Sequence, residues 1–334
     1  MSDASGQRGS PLLPPTADDR LPEQSGNMAG PPAGGEFAAI ARISARLGTA
    51  PSGEVWAGDD AAIVAIGAGT VVAAADALVA GVHADLALTS LADFGWKALA
   101  VNVSDLAAMG CRAARALVTV SGAPVTDLDA LYEGLVEAAE AFGCPIVGGD
   151  LTGGPTLVVS VSVMGDGSGV PGPVLRSGAR PGDRLWVTGP LGGAAAGLRA
   201  LREGRDRPLV RAAHARPVPR VAEGMAARRL GATAMIDVSD GFAADLGHLL
   251  DASGVGCVLD RVPVAAGASQ ADALGGGDDY ELVWSCPPQV DAVAEFEALG
   301  LRPPVPIGAC VGDTRERRVG HVPLGTRGWD HFRE

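Results

Sequence analysis

Aspartates recur in this chain directly after short apolar runs, where a buried core disfavours charge. Asp76, Asp150 and Asp237 each follow such a run. A carboxylate beside buried hydrophobic chain is costly unless it is paired or ligates a metal. Because Mg²⁺ prefers oxygen ligands and takes one or two carboxylates per ion, the series predicts a magnesium site formed by several aspartates.

Further carboxylates stand beside glycine or serine. They lie in Asp59-Asp60, Ser104-Asp105, Ser239-Asp240-Gly241 and Asp278-Asp279. For any one of them, a turn or a helix N-cap is an equally good interpretation. Asp76 and Asp237 cap no obvious helix, however, so the series as a whole favours a ligand set. So many carboxylates would suit several ions along a triphosphate.

Basic residues give little support for a phosphate-binding P-loop. The motif Gly-x-x-x-x-Gly-Lys-Ser/Thr is absent, and Lys97 is the only lysine of the chain. If the protein handles ATP, it must therefore use metals, backbone amides and arginine. The Gly-rich segment Gly189–Gly193 is interpreted either as a phosphate contact or, in preference, as a simple strand-to-helix turn.

Composition excludes several classes of protein. The 334 residues are 47% hydrophobic and 19% charged with a net charge of −13, which argues against a nucleic-acid surface. An acidic chain can still bind a nucleotide through divalent cations. No stretch is long and apolar enough for a bilayer span, and five scattered cysteines indicate reduced thiols. We therefore expect a cytoplasmic protein that binds neither membrane nor nucleic acid.

Strand-like and helix-like segments alternate through both halves of the chain, which predicts α/β (α+β) layers. A Gly/Pro-rich break at Gly165–Pro173 divides a first domain, 35–166, from a second, 174–334. Residues 1–34 are rich in Pro, Gly and Ser, so we expect a disordered tail.

The predicted elements place the aspartates near strand ends and helix starts, where ligands and anions are usually bound. Strands are expected at Thr70–Ala75, Arg115–Ser121, Leu157–Val163, Asp183–Thr188 and Ala234–Asp237. Helices are expected from Phe37, over Ser90–Ala100, after an N-cap at Thr126, from Ala194, over Val221–Leu230 and from Phe242.

Seven motifs, in this order, resemble those of the thiamine-monophosphate kinase family. They are Gly58–Ala62, Asp76–His83, Lys97–Gly110, Gly148–Asp150, Arg176–Asp183, Ile236–Gly241 and Gly276–Leu282. The stretch Asn102-Val103-Ser104-Asp105-Leu106-Ala107-Ala108-Met109-Gly110 is the most specific of them. The resemblance covers the chain from about residue 35 to the C-terminus.

The resemblance implies a two-domain fold shared with aminoimidazole-ribonucleotide synthetase, in which the N-terminal sheet domain forms a homodimer interface close to ATP. It implies Mg²⁺-assisted, in-line transfer of phosphate from ATP to thiamine monophosphate, giving thiamine diphosphate. Because a phosphate monoester is already largely dianionic at neutral pH, no general base is required.

The same resemblance assigns roles to particular positions. The implied metal site consists of Asp60, Asp76, Asp105, Asp150, Asp237 and Asp240, with Ala74 and Ala75. The implied ATP contacts are Gly149, Asp150, Arg176 and Ser239, and the implied substrate contacts are His83, Asp278 and Trp329. On its own, the pattern around His83 favours a structural histidine, and that around Trp329 fits either a core anchor or a stacking platform.

Three positions depart from the family pattern. Ala74-Ala75 stands where the family has two hydroxyl residues, Asp278 replaces a glutamate and Ala84 replaces a phenylalanine. Two alternatives therefore stay open. One is a non-catalytic protein that binds a nucleotide or a thiamine phosphate, and the other is a different ATP-dependent synthetase of the same superfamily.

Overall fold

A computed structural model describes residues 50–329, except 57–58, 68, 124, 206–207 and 326–327. The expected tail, the helix expected from Phe37 and part of the Gly58–Ala62 motif lie outside the described residues. The described chain forms two sheets with helices packed on them, each with its own hydrophobic core. The expected α/β architecture is confirmed.

The first sheet has five strands in the order β1-β2-β5-β3-β4. They are β1 (Ala62–Ile66), β2 (Gly69–Val79), β3 (Ala113–Gly122), β4 (Ile146–Gly153) and β5 (Val158–Asp166). Strands β3 and β4 are parallel, and the other pairs are antiparallel. In β5 the valines at 159, 161 and 163 are buried, while the serines between them are half-buried, as the alternation predicts.

Two helices cover one face of this sheet. Helix α1 (Leu91–Ala108) begins at the N-cap Ser90, whose hydroxyl accepts from the amide of Asp93, and it is buried on almost every side. Helix α2 (Leu128–Phe142) packs closely against it, since a Cβ at Gly134 would lie 1.7 Å from the carbonyl oxygen of Ala92. This close packing fixes α1 against α2.

The second sheet has seven strands in the order β12-β11-β8-β10-β6-β9-β7. The strands are β6 (Arg184–Val187), β7 (Ala234–Asp237), β8 (Gly256–Leu259), β9 (Leu282–Cys286), β10 (Val305–Val311), β11 (Arg317–Val319) and β12 (Val322–Pro323). The helices of this half are α3 (Gly193–Arg202), α4 (Pro208–Ala215), α5 (Val221–Arg229), α6 (Phe242–Ser253), α7 (Gln270–Gly275) and α8 (Ala292–Ala298). Trp186 and Trp284 stack with ring centroids 5.8 Å apart at the centre of one core cluster.

Three expectations about local structure were wrong. Asp76 and Asp150 lie inside β2 and β4 rather than at strand ends, because each strand continues in register with a neighbour. Of the three strand-associated aspartates, Asp237 alone ends its strand. The N-cap of α2 is Asp127 rather than Thr126, since the carboxylate of Asp127 accepts from the amide of Ala130.

Several contacts between the two halves converge on α1. Lys97 and Ser104, both on α1, bond to Asp278 and Asp237 of the second half. The indole nitrogen of Trp96 donates to the carbonyl of Pro217 at 2.9 Å. Helix α1 therefore positions groups from both sheets. Among the described helices, none is both long and apolar enough to cross a membrane.

Candidate active site

Three carboxylates from different elements meet between the two sheets. Oxygens of Asp60, Asp105 and Asp237 all lie within 4.8 Å of one another. Asp60 precedes β1, Asp105 lies near the C-terminal end of α1, and Asp237 ends β7. Such a group of oxygens, gathered from three elements, fits a divalent cation.

The cluster carries more negative charge than its surroundings neutralise. Burial, and then repulsion from Asp76 and Asp237, raises the pKa of the Asp105 carboxyl well above its usual range. Burial, and then repulsion from Asp60, raises the pKa of Asp237 to about 7. Asp76 repels both groups, so it belongs to the same electrostatic environment. Four of the six aspartates predicted for the metal site, Asp60, Asp76, Asp105 and Asp237, thus lie together.

Arg176 supplies positive charge to the cluster. Its guanidinium binds Asp60 in a two-point contact, with Nη2 2.8 Å from Oδ1 and Nε 3.1 Å from Oδ2. The carboxylate of Asp59 accepts the backbone amide of Arg176 at 3.0 Å. Burial, and then repulsion from Asp60, raises the pKa of Asp59 to about 6. The doubled aspartates therefore differ in role, since Asp59 fixes the main chain of Arg176 and Asp60 joins the cluster.

Three polar residues that support the cluster were missed as individual site residues by the sequence reasoning. Ser104 donates its hydroxyl to Oδ2 of Asp237 at 2.5 Å, and Asn102 accepts the amide of Asp76 at 2.7 Å. Asp245 accepts the amide of Asp240 at 3.1 Å and that of the next residue at 3.0 Å. The available signal was position alone: Asn102 and Ser104 precede Asp105 in the same motif, and Asp245 lies in the first turn of a predicted helix.

Two of the three predicted substrate contacts, Asp278 and Trp329, lie beside the loop Ser239–Asp240. The amide of Asp278 donates to the carbonyl of Ser239 at 2.8 Å, and that of Trp329 donates to the carbonyl of Asp240 at 3.0 Å. The residue Trp329 is 56% exposed, which fits a stacking platform better than a core anchor. The structure thus brings Ser239, Asp240, Asp278 and Trp329 together.

His83, Lys97 and His214 also belong to the part of the site predicted to bind substrate. Of these, Lys97 and His214 were not predicted as site residues. Lys97 lies 2.7 Å from Oδ2 of Asp278, and its Nζ also approaches the carbonyl of His83 at 3.4 Å. Nδ1 of His83 accepts the amide of Val79 at 2.9 Å, so the proton of the neutral ring is on Nε2. His214 lies 3.9 Å from Asp278, and burial, with repulsion from Lys97, lowers its pKa to about 4.

The Gly189–Gly193 segment is a strand-to-helix turn whose amides are used internally. The carboxylate of Asp279 accepts the amide of Gly192 at 2.5 Å and that of Ala194 at 3.2 Å, at the start of α3. Burial raises the pKa of Asp279 to about 6. The doubled Asp278-Asp279 therefore divides its roles as Asp59-Asp60 does.

Ala74 and Ala75 offer only backbone oxygens. Pairing between β1 and β2 ends at Ala62 and Ala73, so β2 has no β1 neighbour beyond that point. Ala74 packs against the core and Ala75 is exposed. A metal near Asp76 could therefore use main-chain carbonyls here, but no side-chain hydroxyl.

Gly149 and Asp150 do not join the cluster within one chain. They lie on β4, at the edge of the first sheet, and Gly149 is in register with Val118, Val161 and Asp76 across the sheet. Three strand spacings of about 4.8 Å separate β4 from β2, or roughly 14 Å. That separation is too great for Asp76 and Asp150 of one chain to ligate the same ion.

Comparisons with known proteins show the family of the chain. Models of the AIR synthase related protein match at residues 58–166 for the N-terminal domain and at 180–321 for the C-terminal domain. The thiamine-monophosphate kinase of Mycobacterium tuberculosis is 42% identical over 267 residues, covering 75% of this chain and 80% of the relative. That of Salmonella typhimurium is 36% identical, covering 89% and 98%. The chain belongs to the thiamine-monophosphate kinase family.

The fold of this thiamine-monophosphate kinase family member also matches solved structures. AaThiL complexed with AMPPCP and TMP superposes with a TM-score of 0.78 at 29% identity, covering 89% of this chain and 97% of that one. The two-domain α/β fold expected from the resemblance is confirmed. The individual roles of the site residues stay predictions.

Proposed function

We propose that this chain transfers the γ-phosphoryl group of ATP to thiamine monophosphate, giving thiamine diphosphate. The observation that carries the proposal is the acidic cluster, next to which Asp278 and Trp329 bond to the loop Ser239–Asp240. Membership of the thiamine-monophosphate kinase family and the likeness to AaThiL complexed with AMPPCP and TMP support the same reaction.

We propose Mg²⁺ as the metal. Its ligands would be Asp60, Asp76, Asp105, Asp237 and Asp240, together with oxygens of the main chain at Ala74 and Ala75. The donor set fits, because all the side-chain donors are hard carboxylate oxygens and the described cluster contains no thiolate or imidazole. When bound, Mg²⁺ would shield the repulsion between the two phosphate groups that must meet.

The protein's own residues would bind and orient the reactants. Arg176, whose main chain is held by Asp59 and whose guanidinium binds Asp60, would donate its remaining N–H groups to ATP phosphates next to the cluster. Gly149, Asp150 and Ser239 are the further proposed ATP contacts. A general base is not needed, since the attacking phosphate oxygen is already ionised. Catalysis would therefore rest on positioning and charge neutralisation.

The substrate half of the site would hold the thiamine portion. Nε2 of His83 carries a proton and can donate, Asp278 offers a carboxylate, and Trp329 offers an exposed ring. Aromatic stacking and an anionic partner suit a flat, cationic heterocycle. These roles are proposed from the residues' types, from the bonds of Asp278 and Trp329 to Ser239–Asp240, and from the contact of Lys97 with both Asp278 and His83.

We propose that a second copy of the chain completes the site. Leu117, Val147 and Leu151 leave large apolar side chains exposed on β3 and β4, which a partner sheet would cover. Asp150 is too far along the sheet to reach its own cluster, so we propose that it acts on the cluster of the partner. The dimer would then carry two sites, each built from both chains.

Mixed dimers of Asp105→Asn and Asp150→Asn chains test this arrangement. If Asp150 acts across the interface, random mixing should restore about one quarter of wild-type activity, because half of the dimers regain one intact site. Activity no higher than that of either variant alone would place both residues in one chain and contradict the proposal.

A cytoplasmic location is proposed on the state of the cysteines. All five are free and buried, as expected for a chain in a reducing compartment. No nucleic-acid or membrane partner is proposed for a chain of net charge −13.

Product formation tests the reaction directly. ADP release from ATP should require both Mg²⁺ and thiamine monophosphate, and thiamine diphosphate should form in equal amount. Binding of both ligands without ADP release would instead select the non-catalytic alternative that Ala74-Ala75 and Asp278 raise. ADP release that does not depend on thiamine monophosphate would select the other alternative, an ATP-dependent synthetase of the same superfamily that acts on a different substrate.

A further inference from the structure

Lys97 is an unusual basic residue in this chain. It is the only lysine, every other basic side chain apart from histidine being arginine, and it is 1% exposed in the middle of α1. Burying an ammonium group is costly unless it is paired and hydrogen-bonded. We therefore expect the buried charge of Lys97 to have a specific partner and a specific role.

The contacts of Lys97 join two residues proposed to bind the acceptor substrate. Its Nζ lies 2.7 Å from Oδ2 of Asp278 and 3.4 Å from the carbonyl oxygen of His83. Asp278 belongs to the second half of the chain and His83 to the first. One ammonium group thus ties together the two sides of the substrate pocket.

The other polar groups that face Asp278 are uncharged and cannot neutralise its carboxylate. Tyr280 donates its hydroxyl to Oδ1 of Asp278 at 3.2 Å, but it is neutral. His214 faces the same carboxylate, yet burial and then repulsion from Lys97 keep its pKa near 4, so it too is neutral at pH 7. Lys97 is therefore the charged partner of Asp278 among the described residues.

The backbone at Asp278 also needs support. Its φ is 69°, in the left-handed region that a residue with a Cβ rarely adopts. Such strained conformations persist only where surrounding contacts hold them, and they cluster at functional sites. The Lys97 ion pair and the Tyr280 hydrogen bond hold both carboxylate oxygens of Asp278 in that conformation.

Helix α1 links this pair to the acidic cluster. Lys97 precedes Ser104 by seven residues, which is close to two helical turns, so both side chains leave the same face about 10 Å apart along the axis. Ser104 bonds to Asp237, and Lys97 bonds to Asp278. The helix therefore sets the spacing between the metal end and the substrate end of the site.

We propose that Lys97 is a positioning residue that holds the carboxylate of Asp278 and the main chain of His83 for the acceptor substrate. It thereby sets the affinity for thiamine monophosphate and not the rate of phosphoryl transfer. A lysine suits this place because its ammonium is compact and bonds in several directions, whereas a guanidinium is a larger planar fork. The proposal rests on the proposed function and on the proposed roles of Asp278 and His83.

Kinetics of Lys97→Met separate this role from a merely structural one. KM for thiamine monophosphate should rise about 10- to 100-fold, since a charge-assisted hydrogen bond to a substrate contact is lost. KM for ATP and kcat should each change by about threefold or less. A similar change in both KM values, or a fall in kcat with KM for thiamine monophosphate unchanged, would overturn the proposal.

A double-mutant cycle tests whether Lys97 acts through Asp278. Asp278→Asn should raise the same KM, and the double variant should be no worse than the more severe single variant, because the two residues act as one unit. Multiplicative effects would mean that Lys97 acts independently of Asp278. Arg199→Met is the control, since Arg199 pairs with Asp272 at 2.8 Å and neither residue is a proposed substrate contact; its KM values should stay at wild-type values.

The wild-type protein allows a test that does not depend on a variant folding. Labelling with [¹⁵N]lysine in a form without lysine in any tag gives a single backbone amide signal, that of Lys97. Thiamine monophosphate should shift this signal in a saturable way, and AMPPCP with Mg²⁺ should not. A signal unmoved by saturating thiamine monophosphate would contradict the proposal.

The outcomes distinguish the two levels of inference. Absence of ADP release by the wild-type protein would remove the proposed function itself. Normal wild-type turnover combined with an unchanged KM for thiamine monophosphate in Lys97→Met would remove only the role of Lys97.

Discussion

Two buried carboxylates in this molecule have opposite surroundings. Glu281 and Asp237 are each 3% exposed. Around Glu281, Arg302 and Arg220 donate at 2.7 Å and 2.9 Å, and Thr188 donates at 2.5 Å. Around Asp237, the closest charged groups include further carboxylates, and Ser104 is the donor that bonds to it.

The difference separates a structural carboxylate from one that requires a cation. Glu281 has more than one positive partner, so its burial is compensated inside the protein. Asp237, Asp105 and Asp60 share Arg176 among them, and burial with mutual repulsion raises the pKa of the Asp105 and Asp237 carboxyls. We infer that the chain retains this unbalanced cluster for metal binding, at a cost in stability.

Asp105→Asn should show the largest effect on activity. Removing one carboxylate from the cluster should lower kcat by about a thousandfold, because metal-held charge neutralisation supplies several kcal/mol in such reactions. ADP release measures the loss, and an unchanged circular dichroism spectrum controls for folding. Near-normal turnover would remove Asp105 from the proposed metal site.

Glu281→Gln should act on stability instead. It replaces the buried carboxylate to which Arg220 and Arg302 bond, and because both guanidinium groups are partly exposed to solvent, the free energy of unfolding should fall by about 2 kcal/mol. Urea denaturation measures this change, and kcat of the folded fraction should fall far less than in Asp105→Asn. If Glu281→Gln proved as stable as wild type but inactive, Glu281 would not be a purely structural carboxylate, and the contrast with Asp237 would be wrong.

His214 should make stability depend on pH in a defined window. Its pKa is about 4 in the folded state, against about 6.5 when unfolded. Between these values the unfolded chain binds more protons, so stability rises with pH from 4 to 6.5 and is lost on acidification, by at most about 3 kcal/mol. His214→Gln should flatten the wild-type slope in this window; an equal slope in both proteins would show that His214 is not the group concerned.

Ala75→Thr should have the smallest effect. A hydroxyl beside Asp76 would add an oxygen where the chain now offers only main chain, so the Mg²⁺ concentration for half-maximal activity should fall by about two- to fivefold. Val71→Thr, on the same strand but paired with β1, is a control that should leave this concentration unchanged. No change in Ala75→Thr would indicate that main-chain oxygens already suffice.

The sequence predicted the carboxylates of the acidic cluster better than the residues that hold the surrounding main chain in place. Asp60, Asp105 and Asp237 stand out because carboxylates beside glycine, serine or apolar runs are costly without partners. The sequence did not indicate that Asp59 fixes the main chain of Arg176, or that Asp279 caps the start of α3. Those roles depend on which side of a turn each carboxylate faces, and tertiary packing decides this.

The positions of aspartates within their strands, and the order of the strands in the sheet, were the least predictable features. Asp76 and Asp150 interrupt apolar runs and therefore look like strand ends, yet pairing with β5 and β3 continues past both. The distance between β4 and the cluster also needs the strand order, which places β3 and β5 between β4 and β2. Sequence spacing alone carries no information on that order, so the separation of Asp150 from Asp76 could not be predicted.

Thermal unfolding of wild type and Asp105→Asn, each in EDTA and in Mg²⁺, tests the central claim most directly. In EDTA the variant should melt at a higher temperature, because one of the mutually repelling carboxylates is gone. Mg²⁺ should raise the melting temperature of the wild type and have little effect on the variant. An Asp105→Asn protein that is less stable than wild type in EDTA and responds equally to Mg²⁺ would contradict a metal-binding cluster.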